Sequence, residues 1–268
     1  MDTTDLRGRT AVVTGAGSGI GRETALLCAE RGADLAICDV DDAGLAETER
    51  RARALGRDVV SRHVDVADRE QMRAFSDEVE AVDLLVNNAG VGLAADFEDT
   101  LLDDWDWIVS INLMGVVHGC HFFLPKIRRG GHVVNISSMA GYLPSPGLSA
   151  YSATKFAVRG LSEALRAEVH DRGIGVTAIC PGMINTPITR STRARGRADD
   201  PELRERLARG FERRNYGPEK VAQKILLAVQ RDRPVAPVSP EAWFANGLTR
   251  VSPRLAGWAM RQVFERAP

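Results

Sequence analysis

Cysteine, lysine and tyrosine are scarce in this chain, and a long apolar run and a net charge are missing. The four cysteines among its 268 residues (Cys28, Cys38, Cys120, Cys180) form no CxxC pair and sit among apolar neighbours. They read as buried thiols in a reducing compartment, not as a disulfide framework. No stretch approaches the roughly 18 apolar residues of a membrane span. The acidic opening MDTTDLRGRT also lacks the apolar centre of a signal peptide, so the expected location is cytoplasmic. Lys+Arg 35 against Asp+Glu 36 leaves a formal charge of −1, which gives no global electrostatic reason to expect nucleic acid. Only four basic residues are lysine (Lys126, Lys155, Lys220, Lys224). A compositional preference for arginine explains this, and it makes each lysine more informative. The balance of 44% hydrophobic and 26% charged residues excludes disorder and collagen-like chains.

Short β-branched runs at Thr10–Thr14, Asp34–Asp39, Val59–Val64, Asp83–Val86, His132–Ser137 and Gly175–Cys180 alternate with amphipathic segments near 19–31, 42–55, 68–81, 103–123 and 150–171. This alternation predicts an α/β fold, a doubly wound parallel sheet (Rossmann-like) of about seven strands covered by helices. No linker interrupts it, so residues 1–240 read as one domain with a small helical lid near 187–217. Asp200-Pro201 has the form of a helix start, and Leu203, Leu207 and Phe211 follow as an apolar stripe. Pro234–Ser239 is a candidate last strand. Residues 241–268 form an amphipathic tail in which Trp243, Phe244, Leu248, Val251, Leu255, Trp258 and Phe264 alternate with arginines.

Between the first strand and first helix lies Thr14-Gly15-Ala16-Gly17-Ser18-Gly19-Ile20-Gly21. Glycine permits the sharp turn and the close approach of a ligand. The helix start then offers unpaired N–H groups and a positive dipole end to a pyrophosphate. Asp39, closing the second strand, stands where an acidic residue binds an adenosine ribose. A tight turn and a helix cap are the plain alternatives for these two features.

With these residues and others further along, the sequence resembles the short-chain dehydrogenase/reductase family over about residues 6–235. Asp65-Val66 matches the family's adenine-side motif, and Asn87-Asn88-Ala89-Gly90 its NNAG motif. Asn112, Ser138, Tyr151 and Lys155 match its four catalytic positions; Pro181-Gly182 with Ile184 and Thr186 match the nicotinamide loop. The resemblance implies that Gly15, Gly17, Ser18, Gly19, Ile20, Gly21, Asp39, Asp65, Val66, Asn88, Ala89, Gly90, Tyr151, Lys155, Pro181, Gly182, Ile184 and Thr186 bind a nicotinamide cofactor. NAD is expected over NADP, because Asp39 would repel a 2′-phosphate and Ser18 stands where a basic residue would offset it. Arg22 remains as an alternative cation, with a structural role weighed against it. Two departures are visible: the approach to the fourth strand is short, and the TG…DGG closing motif of tetrameric members is missing.

Tyr151 and Lys155 are four residues apart, so on a helix they share one face. The expected chemistry is hydride transfer between the cofactor and a secondary alcohol or ketone. Tyr151 is the general acid/base, its phenol lowered by the Lys155 ammonium and the nicotinamide charge. Lys155 also holds the nicotinamide ribose, Ser138 stabilises the substrate oxygen, and Asn112 anchors a water relay. Ser137 is the alternative serine. His118 and His121 lack companions with ligand spacing, so no metal is expected. Trp105 and Trp107 read as packing residues, and the arginine-rich stretch 190–214 as a solvated helix face or an anion-recognising one. Helices 103–123 and 150–171 match those the family pairs across a two-fold axis, so a homodimer or homotetramer is expected. A non-catalytic dinucleotide sensor, or a peripheral membrane oxidoreductase acting on lipids or steroids, remains as an alternative.

Overall fold

The computed structural model describes residues 1–252, 254–257 and 262. The chain begins with β1 (Thr10–Thr14), α1 (Gly19–Glu30), β2 (Asp34–Asp39), α2 (Asp42–Ala54), β3 (Val59–His63), α3 (Arg69–Asp77) and β4 (Val82–Asn87). A two-residue β5 (Leu93–Ala94), α4 (Leu102–Val109), α5 (Gly115–Phe123), β6 (Ile127–Ile136), α6 (Ser149–Glu168) and β7 (Gly175–Cys180) follow. Then come α7 (Ile188–Ser191), β8 (Arg193–Ala194), α8 (Pro201–Arg214), α9 (Pro218–Gln230), β9 (Val235–Pro237) and α10 (Pro240–Val251). Local chemistry sets several starts. Asp41 accepts from Gly44 N, Asp68 from Glu70 N and Gln71 N, and Asp200 from Glu202 N and Leu203 N, each occupying orphan donors of a first turn.

Seven parallel strands lie in the order β3-β2-β1-β4-β6-β7-β9. The chain winds outward one way from β1 to β3, then restarts at β4 and winds the other way. The carboxyl ends of β1 and β4 therefore diverge and open a crevice, the place where doubly wound sheets take ligands. One face of the sheet packs on α1, α2 and α9 through Leu26, Leu45, Ile225 and Val229. The other packs on α3, α5 and α6 through Phe75, Phe123, Val158 and Leu165.

The expected strands lie where the β-branched runs put them, except that β6 starts at Ile127, five residues before the expected His132; two helical readings need correction. The segment 103–123 is not one regular helix. It is α4 and α5 joined by a π turn, Ser110–Met114, in which Gly115 N donates to Ser110 O. The segment near 187–217, read as a small helical lid, is not helical throughout: between α7 and α8 lies β8, which pairs in parallel with β5. A third correction concerns apolar runs. Leu102–Lys126, 25 residues, contains an 18-residue window of mean hydropathy 1.5 and so has the length and composition of a membrane span. In the fold, Ile108, Val116 and Phe123 of this run are buried in the core, and Asp104 and Asn112 are buried with polar partners. Trp258 and Phe264 of the tail lie outside the described residues.

Candidate active site

The glycine loop is fixed mainly by main-chain contacts. Gly15 and Gly19 have φ of 66° and 53°, in the left-handed region that favours glycine. At Gly21 a Cβ would collide with the Gly15 carbonyl oxygen. Thr14 Oγ1 accepts from Asn88 N (3.0 Å) and Ala89 N (3.1 Å), while Asn88 Nδ2 donates to Thr14 O (3.0 Å) and Gly15 O (2.9 Å). Asn88 thus welds the end of β4 to the loop following β1. Ser18, the N-cap of α1, makes no side-chain cap bond, which leaves the first turn's N–H groups available to an anion.

Asp39 at the end of β2 accepts from Gly17 N at 2.7 Å and from Asp41 N at 3.0 Å. Its carboxylate therefore stands against the loop where an adenosine ribose would lie. Arg22 does not face that space as a free cation. Its guanidinium donates to Thr48 Oγ1 and Gly44 O, each at 3.0 Å, and to Gly17 O. Thr48 in turn donates to Ala16 O at 2.8 Å. Arg22 thus takes the structural role weighed for it against that of a cation. Thr48 is a support that carried no signal in the sequence.

Asp65 Oδ1 accepts from Ala67 N (2.9 Å), and buried Val66 offers its carbonyl to His118 Nδ1 at 2.9 Å. His118 is thus spent on the backbone. Among the described residues no group of three His, Cys, Asp or Glu side chains is placed to hold a metal. On the far side of the crevice, Met139 N donates to Pro181 O at 2.7 Å. Gly182 lies so close to Ser239 and Glu241 that a side chain would collide with both. A Cβ on Gly19 would meet Thr186 at 3.5 Å, so the 181–186 segment returns to the glycine loop and forms the lip of the crevice. Ile20 and Ile184 point into the core, which leaves only their main chain to face a ligand.

Ser138, Tyr151 and Lys155 converge at the crevice. Ser138 lies beside the Tyr151 phenol, and its Oγ accepts from Ala140 N at 3.1 Å. Lys155 lies one turn on in α6, its Nζ 5.6 Å from the Tyr151 ring centroid and donating to Ile136 O at 3.1 Å. The other two tyrosines are spent elsewhere: Tyr142 donates to Ala242 O, Tyr216 to Val238 O. Ser137 donates to Lys155 O at 2.7 Å, so that serine braces the helix while Ser138 meets the phenol. Gly90 closes the group, since a Cβ there would lie 3.1 Å from Asn112 Oδ1 and 3.4 Å from Lys155 Nζ.

One expectation about this cluster changes. Burial pushes the Tyr151 phenol above its ordinary value, only partly opposed by the Ser138 side chain. The lowering expected from Lys155 does not prevail without ligands. Burial also lowers the Lys155 ammonium to about 8. Asn112, in the π turn, accepts from Val91 N at 2.8 Å and donates to Val91 O at 2.9 Å. Its amide therefore clamps the chain after Gly90.

Two residues of the arginine-rich stretch depart from a solvated face, Arg193 and Arg195. Asp104 of α4 is fully buried; Arg193 donates to its Oδ1 at 2.7 Å and Arg195 to its Oδ2 at 2.9 Å. These arginines hold the carboxyl down to about 2. The Arg193 guanidinium also stacks 3.7 Å from the centre of the Trp107 ring. Trp105 and Trp107 both pack on the Leu93–Ile108–Ala150 cluster. With the β5–β8 pairing, this group staples the segment around Arg193–Arg195 to the core. On α8 the expected apolar stripe is only partly covered: Leu207 is 53% exposed, Leu203 and Phe211 are half-buried, and Ala208 is the buried residue there.

A doubly wound parallel sheet with a glycine loop, an acidic residue after β2 and a Ser-Tyr-Lys cluster over the crevice defines a dinucleotide-dependent oxidoreductase class. The family model described as short chain dehydrogenase matches residues 9–196, and the chain belongs to that family. "Probable oxidoreductase EphD" of Mycobacterium tuberculosis (strain ATCC 25618 / H37Rv) is 44% identical over 253 residues, 90% of this chain. The chain spans 43% of the length of that relative. Among solved structures, a short chain dehydrogenase/reductase from Burkholderia phymatum in complex with NAD superposes with a TM-score of 0.81 at 32% identity, covering 92% of this chain and 93% of the other. A short chain dehydrogenase from Burkholderia cenocepacia J2315 in complex with NADP gives 0.77 at 29%, covering 88% and 98%.

Proposed function

We propose that the chain interconverts a secondary alcohol and a ketone with NAD in preference to NADP. The observation that carries this reading is the gathering of Ser138 and Lys155 about Tyr151, with Lys155 Nζ 5.6 Å from the Tyr151 ring centroid and close to Gly90 at the crevice. The bound nicotinamide supplies or accepts the hydride. Tyr151 holds and moves the proton at its hydroxyl. Burial keeps that hydroxyl protonated in the free protein, which suits donation to a carbonyl. Abstraction from an alcohol needs the Lys155 charge and that of the oxidised cofactor. Ser138 donates to the substrate oxygen as charge develops on it. Lys155 holds the ribose, and Asn112 acts as a positioning residue through Val91.

The glycine loop fits a dinucleotide diphosphate through the uncapped first turn of α1. The preference for NAD rests on Asp39 facing the ribose space while Arg22 is tied to Thr48, Gly44 and Gly17. Two unit charges 4 Å apart repel by about 4 kcal/mol at an effective dielectric of about 20. Even a third of that yields about a tenfold preference in kcat/KM. The segment 187–217 serves as a lid over the substrate. Four buried free thiols fit a reducing compartment such as the cytoplasm. Exposed Met114 and Phe156, on the π turn and α6, fit a homodimer or homotetramer built on these helices.

Steady-state kinetics on a panel of secondary alcohols, steroids and acyl derivatives with both cofactors tests this reading. Tyr151→Phe is expected to lower turnover by about 10²–10⁴ and to leave dinucleotide binding intact. Near-normal turnover would overturn the role of Tyr151. Tight dinucleotide binding with no turnover of any substrate would assign the chain to dinucleotide sensing.

A further inference from the structure

Away from the crevice, α9, β9 and α10 enclose a cavity of about 210 Å³. Its floor is Leu227, Ala228, Ala236 and Val238, one wall is Trp243, and Lys224, Arg231 and Arg233 stand around it. No acidic residue lines it. Lys224, Leu227, Ala228 and Arg231 share one face of α9 by their spacing. Arginines elsewhere are commonly paired, as Arg193 and Arg195 are with Asp104. Among the described residues, by contrast, Lys224, Arg231 and Arg233 have no ion pair; the Arg233 guanidinium lies 5.4 Å from the Trp243 ring. Asp232, between the two arginines, adopts a left-handed conformation (φ 47°) and gives its carboxylate to Arg166 at 2.6 Å. The acid that could neutralise this cluster is committed to another partner.

Apolar surface adjoins the cations. Trp243 is 49% exposed and Phe244 73%, while Val251, seven residues on from Phe244 and so on the same helical face, is 84% exposed. Arg250 and Arg254 lie along the same stretch.

We propose that this face docks on an anionic lipid surface, with headgroup phosphates at Lys224, Arg231 and Arg233 and with Trp243 and Phe244 seated at the interface. Cations interleaved with exposed aromatics are the composition that binds such surfaces, and the cavity is sized for a headgroup. A second copy of the chain fits poorly. A two-fold contact would set the three cations against themselves. Pro237, which has no N–H to donate, also weakens the β9 edge for pairing with another strand.

The full chain is mixed with vesicles of phosphatidylcholine alone and of phosphatidylcholine with phosphatidylglycerol, then sedimented, with tryptophan fluorescence followed in parallel. Binding is expected only with the anionic lipid and should weaken as salt rises. Each cation near such a surface contributes about fivefold, so Lys224→Gln with Arg231→Gln and Arg233→Gln should weaken binding on the order of 10²-fold. Phe244→Ser, a change at an exposed position, should weaken it too, and dehydrogenase activity in solution should stay unchanged in both variants. Absence of binding, equal binding to both vesicles, or undiminished binding by the triple variant would overturn the proposal. Self-association of the chain that the triple variant abolishes would overturn it in favour of a second copy.

Discussion

On the β1 side of the crevice, the glycine loop is held largely by main-chain groups and short side chains: Thr14, Asn88, Asp39 and Thr48, with Arg22 beneath. On the substrate side, the segment after Thr186 is held largely by charged side chains: Arg193 and Arg195 on Asp104, Arg197 on Asp96, Arg190 on Glu212 and Arg204 on Asp199. The first kind of contact leaves no room for an added atom and little freedom to move. The second can break and reform singly, because most of its members are solvated, and a solvated pair contributes at most about 1 kcal/mol. Asp104 is the exception, a buried carboxylate whose loss would leave two guanidiniums without a partner. The protein thus pairs a stiff wall at the glycine loop with a looser wall after Thr186.

The largest effect should come from adding one carbon to the stiff wall. Gly21→Ala forces the loop away from the Gly15 carbonyl. It should cost about 1–3 kcal/mol of stability and most of the dinucleotide affinity, read by thermal melting and fluorescence titration. A variant that melts and binds like the parent would show that the loop yields more than its contacts imply.

Acid tests the comparison next. Burial lowers His132 from its ordinary 6.5 to about 3. A base with a lowered folded pKa supplies stability that is complete above the unfolded value and is lost as pH falls toward the folded one. The core should therefore lose stability from about pH 6.5 downward, by up to about 1.4 kcal/mol per pH unit. The Asp104 carboxyl, lowered from 3.8 to about 2, keeps its contribution until pH drops below about 4. Hydrogen exchange along a pH series should show β6 and β7 loosening before β8 is released; the reverse order would break the assignment.

Asp104→Asn should follow, lowering kcat/KM about tenfold mostly through KM, with faster exchange across 188–199 and unchanged cofactor affinity. An equal loss of cofactor affinity would mean that the two walls are not independent. The smallest effect belongs to Leu207→Ser on the open face of α8. Stability should stay within about 0.5 kcal/mol while substrate KM rises, and an unchanged KM would remove α8 from the lid.

The strands and glycine loop were legible because β-branched runs and glycine spacing act locally. The Ser-Tyr-Lys cluster was legible because Tyr151 and Lys155 lie one helical turn apart. Four features were not. The π turn is hidden because apolar periodicity reads straight through Ser110–Met114. The Asp104 staple joins residues 89 and 91 positions apart, so its arginines looked like surface charge. The direction in which the Tyr151 phenol moves depends on how deeply it is buried, which no spacing encodes. The two-residue strands β5 and β8 carry too little pattern to stand out from loop.

The π turn also sets a rule about length. A stretch closed by bonds five residues apart holds one residue beyond the regular helical count. Deleting a residue between Ser110 and Met114 would let α4 and α5 run on as an ordinary helix with the faces on either side nearly kept, because the wide turn already takes up the extra residue. Val116 and Phe123 would stay on the sheet, while Asn112, which sits inside the wide turn, would lose its place opposite Val91. The extra residue thus serves the Asn112 clamp and not the packing of α5. Gaps and insertions in descendants of this gene should therefore gather in surface connections such as the turn at Leu55–Arg57 and avoid these five positions.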